Sequence, residues 1–67
     1  MRGIVKYMNQ DRGYGFIKTP EHPTDVFVHI KDAQKARIGE LHEGDTLTFD
    51  IVPAKDGKFA AANLQRT

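Results

Sequence analysis

Tyr14, Phe16 and Lys18 alternate with Gly15 and Ile17 in the stretch Arg12-Gly13-Tyr14-Gly15-Phe16-Ile17-Lys18. Two is the period of a strand, so the two rings and the cation share one face while the glycine and isoleucine share the other. Two rings and a cation on the open face of a sheet make a poor core and a good stacking platform. The glycines keep the opposite face thin, so the backbone can curl as a small barrel requires. Asp25-Val26-Phe27-Val28-His29-Ile30 follows the same logic, with Val26, Val28 and Ile30 on one face and Phe27 and His29 on the other. If the two ring-bearing faces form one surface, its chemistry is the stacking of planar bases from a single-stranded nucleic acid. The alternative for any one of these rings is a half-buried strand aromatic that packs on its neighbours.

Other chemistries find little support. The chain has no cysteine and no serine, which removes thiolate metal sites and both of those nucleophiles. His29 has no partner at ligand spacing, since His22 and His42 fall in loops, and Asp25 reads as a strand-entry or turn residue. No metal, cofactor, small-molecule substrate or enzymatic activity is expected. Lys6, Arg12, Lys18, Lys31 and Lys58 are candidate phosphate partners, which position a strand without reading its sequence. Any one of them could equally be a solvated charge.

The 67 residues allow one domain, 1–67, with no room for a second core. A chain this short buries only about 60% of its unfolded surface, so its stability is marginal. No apolar run approaches a membrane span, and Met1-Arg2-Gly3 opens no signal-peptide core, so a cytoplasmic, membrane-free protein is expected. The net charge of +1 is unevenly spread. Residues 1–37 carry seven Lys/Arg against four Asp/Glu (+3), and residues 38–67 carry three against five (−2). A basic half that holds most of the rings points mildly to nucleic acid.

Five strands must position these residues. Ile4 to Met8 is the first, closed by Asn9, Gln10 and Asp11. Gly13 to Thr19 is the second, Pro20 and Pro23 bracket a loop, and Asp25 to Ile30 is the third. Lys31 to Leu41 reads as one helical turn followed by a loop, with Asp32 as candidate N-cap and Gly39 as the stop. The fourth strand turns Leu47, Phe49 and Ile51 inward and ends at Pro53. Asp56-Gly57 signals a hairpin, and Lys58 to Gln65 follows with Ala60, Ala62 and Leu64 on one face. The fold class is all-β: a five-stranded antiparallel barrel, which removes sheet edges by closing on itself. The expected inward set is Val5, Ile17, Val26, Val28, Leu47, Phe49, Ile51, Ala62 and Leu64. Strict alternation puts Val5 and Tyr7 on the same face, and a bulge that resets the phase of the first strand is the alternative, so the face of Tyr7 stays open.

The two motifs, with Gly3-Ile4-Val5-Lys6, Asn9, Leu41-His42-Glu43-Gly44 and Ala61-Ala62-Asn63-Leu64, resemble the bacterial cold-shock proteins in order and spacing over essentially the whole chain. The rival motif reading, an RRM, needs two amphipathic helices and the opposite order of its aromatic strands. The resemblance implies an OB-fold barrel that binds single-stranded RNA and DNA, acts as a low-specificity RNA chaperone and affects gene expression. Its binding face falls on Lys6, Tyr7, Met8, Tyr14, Phe16, Phe27, His29 and Ile30. This chain departs from the family at Tyr7-Met8, where tryptophan then phenylalanine is usual. It departs again at Ile30, where phenylalanine is usual, and near Arg37 and Ile38, where some members carry a loop ring.

Phe59 falls out of phase with its strand. It either lies beside the ligand and partly replaces a missing ring, or caps the end of the barrel. The expected partners are single-stranded RNA and DNA, bound by a monomer. The thinned platform and low net charge motivate a second reading, an interaction barrel that has abandoned nucleic acid. The cost of keeping Tyr14, Phe16, Phe27 and His29 exposed without a partner argues against it.

Overall fold

A computed structural model describes residues 1–67. Its strands are β1 (Arg2–Asn9), β2 (Tyr14–Lys18), β3 (Val26–His29), β4 (Thr46–Pro53) and β5 (Phe59–Arg66), with one helix, α1 (Ile30–Ala36), between β3 and β4. They close into a barrel in the order β1-β2-β3-β5-β4. Every pairing is antiparallel except the closure of β3 on β5, which is parallel and joins Phe27 to Ala60. The all-β five-stranded barrel of an OB fold is therefore present, with its short helix after the third strand.

Alternation holds in β2 and β3. Ile17, Val26 and Val28 are fully buried, while Tyr14, Phe16, Phe27 and His29 are half-exposed on the other side. Gly15 faces inward opposite Met8, where a Cβ would collide with the Tyr7 carbonyl oxygen and the Met8 sulfur. The glycine is thus the condition for β1 and β2 to approach so closely.

β1 carries the bulge. Val5 pairs with Ile17 and Tyr7 with Phe16, so Lys6 is the extra residue. Val5 stays inside, Tyr7 turns out, and the phase beyond it is reset. Met8 is consequently only 8% exposed and belongs to the core cluster. This corrects the expected place of Met8 on the binding face: the bulge that delivers Tyr7 to the surface removes its neighbour from it.

β5 carries the second irregularity. Thr48 pairs with Gln65 and Asp50 with Ala62, so β5 has one residue more than β4 across this step. Asn63 lies there in the left-handed region (φ 52) and donates from Nδ2 to the Asp50 carboxylate at 2.9 Å. Asparagine tolerates this conformation better than most residues. The result is that Ala61 and Leu64 are buried while Ala62 is not, which corrects the expected inward place of Ala62. Ile51 is half-buried and packs against the core rather than lying within it.

The third strand ends one residue earlier than alternation suggests, because His29 opens the helix. Its Nδ1 accepts the Lys31 amide hydrogen at 3.1 Å, so His29 is the N-cap and Asp32 lies in the first turn. Ile30 is therefore the first residue of α1, packed partly against the core, not a strand residue beside Phe27. The helix runs seven residues, longer than the single turn expected, and ends at Arg37 in the left-handed region. Asp56 (φ 60) and Gly57 (φ 70) form the hairpin that Asp-Gly signals, since both central residues have the positive φ of a type I′ turn.

Arg66 fixes the segment between α1 and β4. Its guanidinium donates to the backbone carbonyls of Ile38 and Glu40 and to Asp45 Oδ2. The same carboxylate oxygen accepts the His42 amide at 2.9 Å. That backbone hydrogen bond, then the Arg66 guanidinium, holds the Asp45 carboxyl below the usual carboxylate range against a partial desolvation.

Candidate nucleic-acid interface

Three strands put five rings on one outward surface. Cross-strand register sets Tyr7 opposite Phe16, Phe16 opposite Phe27, and Tyr14 opposite His29. Tyr14 and Phe27 lie nearly parallel, with centroids 5.9 Å apart and planes 19° apart. Phe16 meets both edge-on, at 6.1 Å from Tyr14 and 6.0 Å from Phe27. Tyr7 extends the set at 6.4 Å from Phe16, and His29 at 6.4 Å from Phe27. These spacings lie within the contact range of aromatic pairs, so the rings support one another. A flat base laid on this surface meets a π-face or a ring edge wherever it lands, which favours stacking over readout of base edges.

His29 has a defined donor pattern. Because Nδ1 accepts the Lys31 amide, the hydrogen of the neutral ring sits on Nε2. The ring therefore offers a donor to a base carbonyl or ring nitrogen.

The cations divide into groups. Lys6, on the outside of the bulge, pairs with Asp25 at 3.1 Å, and both side chains are well exposed. Such a pair is worth about 0–1 kcal/mol, little enough for a phosphate to displace it. Lys18 continues the row of Tyr14 and Phe16 along β2, and its ammonium has no partner within the chain. Arg12 lies in the β1–β2 turn, where its backbone amide bonds to Asn9 Oδ1, and its side chain is solvated. Lys58 is exposed where the β4–β5 hairpin enters β5.

Phe59 neither joins the platform nor stands free. Its ring meets His22 edge-on with centroids 4.8 Å apart, so it is tied to the β2–β3 loop. The next residue, Ala60, is the one that pairs with Phe27, which puts Phe59 at the border of the ring surface. His22 lies in a loop, as its position between two prolines suggests, but no periodicity marks its contact with Phe59. Asp25 was read as a strand-entry residue, and nothing in the spacing shows that its carboxylate holds Lys6. Met8 is absent from the surface, whereas Ile30 stays half-exposed at the start of α1, next to His29.

No group of three or more His, Asp or Glu side chains is placed to hold a metal ion. No helix is long and apolar enough to cross a membrane.

A family model described as the 'Cold-shock' DNA-binding domain matches residues 1–67. The chain is 44% identical over 64 residues to cold shock protein CspA of Rhizobium meliloti, covering 94% of this chain and 93% of that protein. It is 42% identical over 64 residues to cold shock-like protein CspB of Escherichia coli, covering 96% and 89%. It is 43% identical over 60 residues to cold shock protein CspB of Geobacillus stearothermophilus, covering 90% and 89%. With the closed five-stranded barrel and a match along its whole length, the chain belongs to the cold-shock domain family of nucleic-acid-binding, non-enzymatic proteins.

Proposed function

We propose that the chain binds single-stranded RNA and DNA by stacking unpaired bases on Tyr7, Tyr14, Phe16, Phe27 and His29. The observation that carries this reading is the contiguity of those rings on three adjacent strands. Lys6 and Lys18 flank the platform and contact phosphates, Arg12 and Lys58 add weaker attraction from its margins, and Phe59 with His22 borders it. Met8 contributes through the core rather than through contact with a base, and half-exposed Ile30 adds an apolar contact beside His29.

The mechanism is competition. Occupying unpaired bases lowers the free energy of melted strands relative to hairpins and consumes no nucleotide triphosphate, which is RNA-chaperone behaviour and a route to gene-expression control. With a net charge of +1 the phosphate contacts are few, so stacking dominates and sequence preference is weak. The protein acts as a cytoplasmic monomer.

Titration of oligothymidine or oligouridine, followed by tyrosine fluorescence, tests the reading. Saturable binding is expected, with a log–log salt slope of about −0.7 per phosphate contacted. Absence of binding at low salt and millimolar ligand overturns it.

A further inference from the structure

Beyond the rings, the outer surface of the barrel continues into a groove of about 740 Å³ whose lining includes Arg2, Ile4, Lys6, Lys18, Pro20 and Glu21. The groove is not part of the ring platform but it adjoins it. Lys18 follows Phe16 by two residues on the same face of β2, a step of roughly 6.8 Å. Ile4 pairs with Lys18 on one side and Thr46 on the other, so Lys18, Ile4 and Thr46 form the next row across the sheet.

Three observations say what the groove suits. Ile4 is 52% exposed, the largest exposure among the big apolar side chains of the chain. Neither the Arg2 guanidinium nor the Lys18 ammonium has a hydrogen-bond or ion-pair partner within the chain. The lining carries three cations, Arg2, Lys6 and Lys18, against the single carboxylate of Glu21, a balance of +2, with Lys6 shared with Asp25. Glu21 is itself held at the rim by the Arg2 amide at 3.1 Å. An apolar floor flanked by two unengaged cations matches one ligand chemistry well: a sugar or base on Ile4 and phosphates on Arg2 and Lys18. Continuity with the rings says where that ligand comes from.

We infer that this groove is an additional nucleotide subsite, occupied by the part of a bound single strand that runs past Phe16 and off the ring platform. The inference rests on the stacking reading above and adds a path: the strand leaves the rings at the Lys18 end and crosses β1 over Ile4. Strands too short to reach the groove do not sense it.

The test compares oligothymidines of about four and about ten nucleotides on the wild type and on the double variant Arg2→Gln, Ile4→Thr, with folding checked by thermal melting. Both positions are exposed strand sites, and the backbone amide of Arg2 remains to hold Glu21. For the long strand, the variant is expected to bind roughly fivefold more weakly, the effect of losing one exposed charge contact. Its salt slope should flatten by about 0.7, one phosphate fewer. The short strand is expected to bind both proteins alike, and the Ile4 methyls of the wild type should shift in NMR spectra only with the long strand. Equal weakening for both lengths assigns the effect to general electrostatics and overturns the subsite. No weakening at either length, including a result in which Ile4 instead reports self-association, overturns it too. Failure of the wild type to bind either strand removes the stacking reading itself, an outcome distinct from the other two.

Discussion

The ring surface of β1–β3 and the α1–β4 segment stapled to β5 are built on opposite principles. The first is arranged by strand register alone: five rings touch, and none donates or accepts a hydrogen bond that fixes it, except His29. The second is arranged by one side chain, Arg66, which ties the carbonyls of Ile38 and Glu40 and the Asp45 carboxylate together. One region leaves its groups free for a partner and the other consumes them internally. Binding and stability should therefore separate by mutation, with one position where they cannot.

That position is Gly15, and it carries the largest expected effect. It lies beneath the platform, and any Cβ meets the Tyr7 backbone and the Met8 sulfur. Gly15→Ala must push β1 away from β2, which costs about 3 kcal/mol by the upper range of overpacking. Only 15 of 67 residues are buried, so that loss consumes much of the stability. Urea denaturation is expected to show a midpoint far below that of the wild type, the largest shift of any substitution considered. A stable Gly15→Ala protein would mean that β1 and β2 have slack, and that the rings are not held by register.

Next come the paired truncations. Phe27→Ala is expected to weaken oligonucleotide binding by about 1–3 kcal/mol while leaving a cooperative melt. Arg66→Ala should do the reverse, lowering stability by about 1–2 kcal/mol through lost hydrogen bonds and leaving the affinity for a short oligonucleotide unchanged. Calorimetric melting and fluorescence titration on both variants give four numbers. If Phe27→Ala unfolds the protein, its ring belongs to the core and the comparison fails.

A smaller effect follows from Asp45. Its carboxyl is held below its ordinary value, chiefly by the His42 amide and then by Arg66. A depressed folded-state pKa stabilises the fold above the unfolded value, about 3.9, and that contribution is lost as pH falls through the folded value. The melting temperature of the wild type should therefore exceed that of Asp45→Asn at neutral pH, with the gap closing below about pH 4. A gap independent of pH would show that the carboxylate charge is not what matters.

What could be read from the sequence divides along regular and irregular backbone. Tyr14, Phe16, Phe27 and His29 were legible because β2 and β3 contain no bulge, so a period of two places each of them. Asp56-Gly57 was legible because few residue pairs accept two consecutive positive φ angles. Met8 and Ala62 were misplaced because single extra residues, Lys6 in β1 and Asn63 in β5, break the alternation between the residues on either side of them. Alternation left the face of Tyr7 open between strict phase and a bulge, and did not show that Met8 would turn into the core once the phase was reset. Ile30 was assigned to a strand because a histidine at the strand end is not an obvious helix cap. The Arg66 staple joins residues 21 to 28 positions apart, which no local pattern encodes.

His29 is the one residue that serves both regions, and its two roles can be separated by the atoms it presents. Its ring face belongs to the platform, while Nδ1 caps α1 through the Lys31 amide. Asparagine is among the best N-caps and has no ring, whereas alanine offers neither group. His29→Asn and His29→Ala should thus weaken oligonucleotide binding to the same extent, while only His29→Ala loses the cap. The expected stability difference between the two is about 1 kcal/mol, the smallest effect predicted for the fold. Nitrogen-15 NMR of the wild-type ring should find the hydrogen of the neutral form on Nε2. If it lies on Nδ1 instead, the Lys31 amide is not bound there, and the ring is free to present either nitrogen to a base.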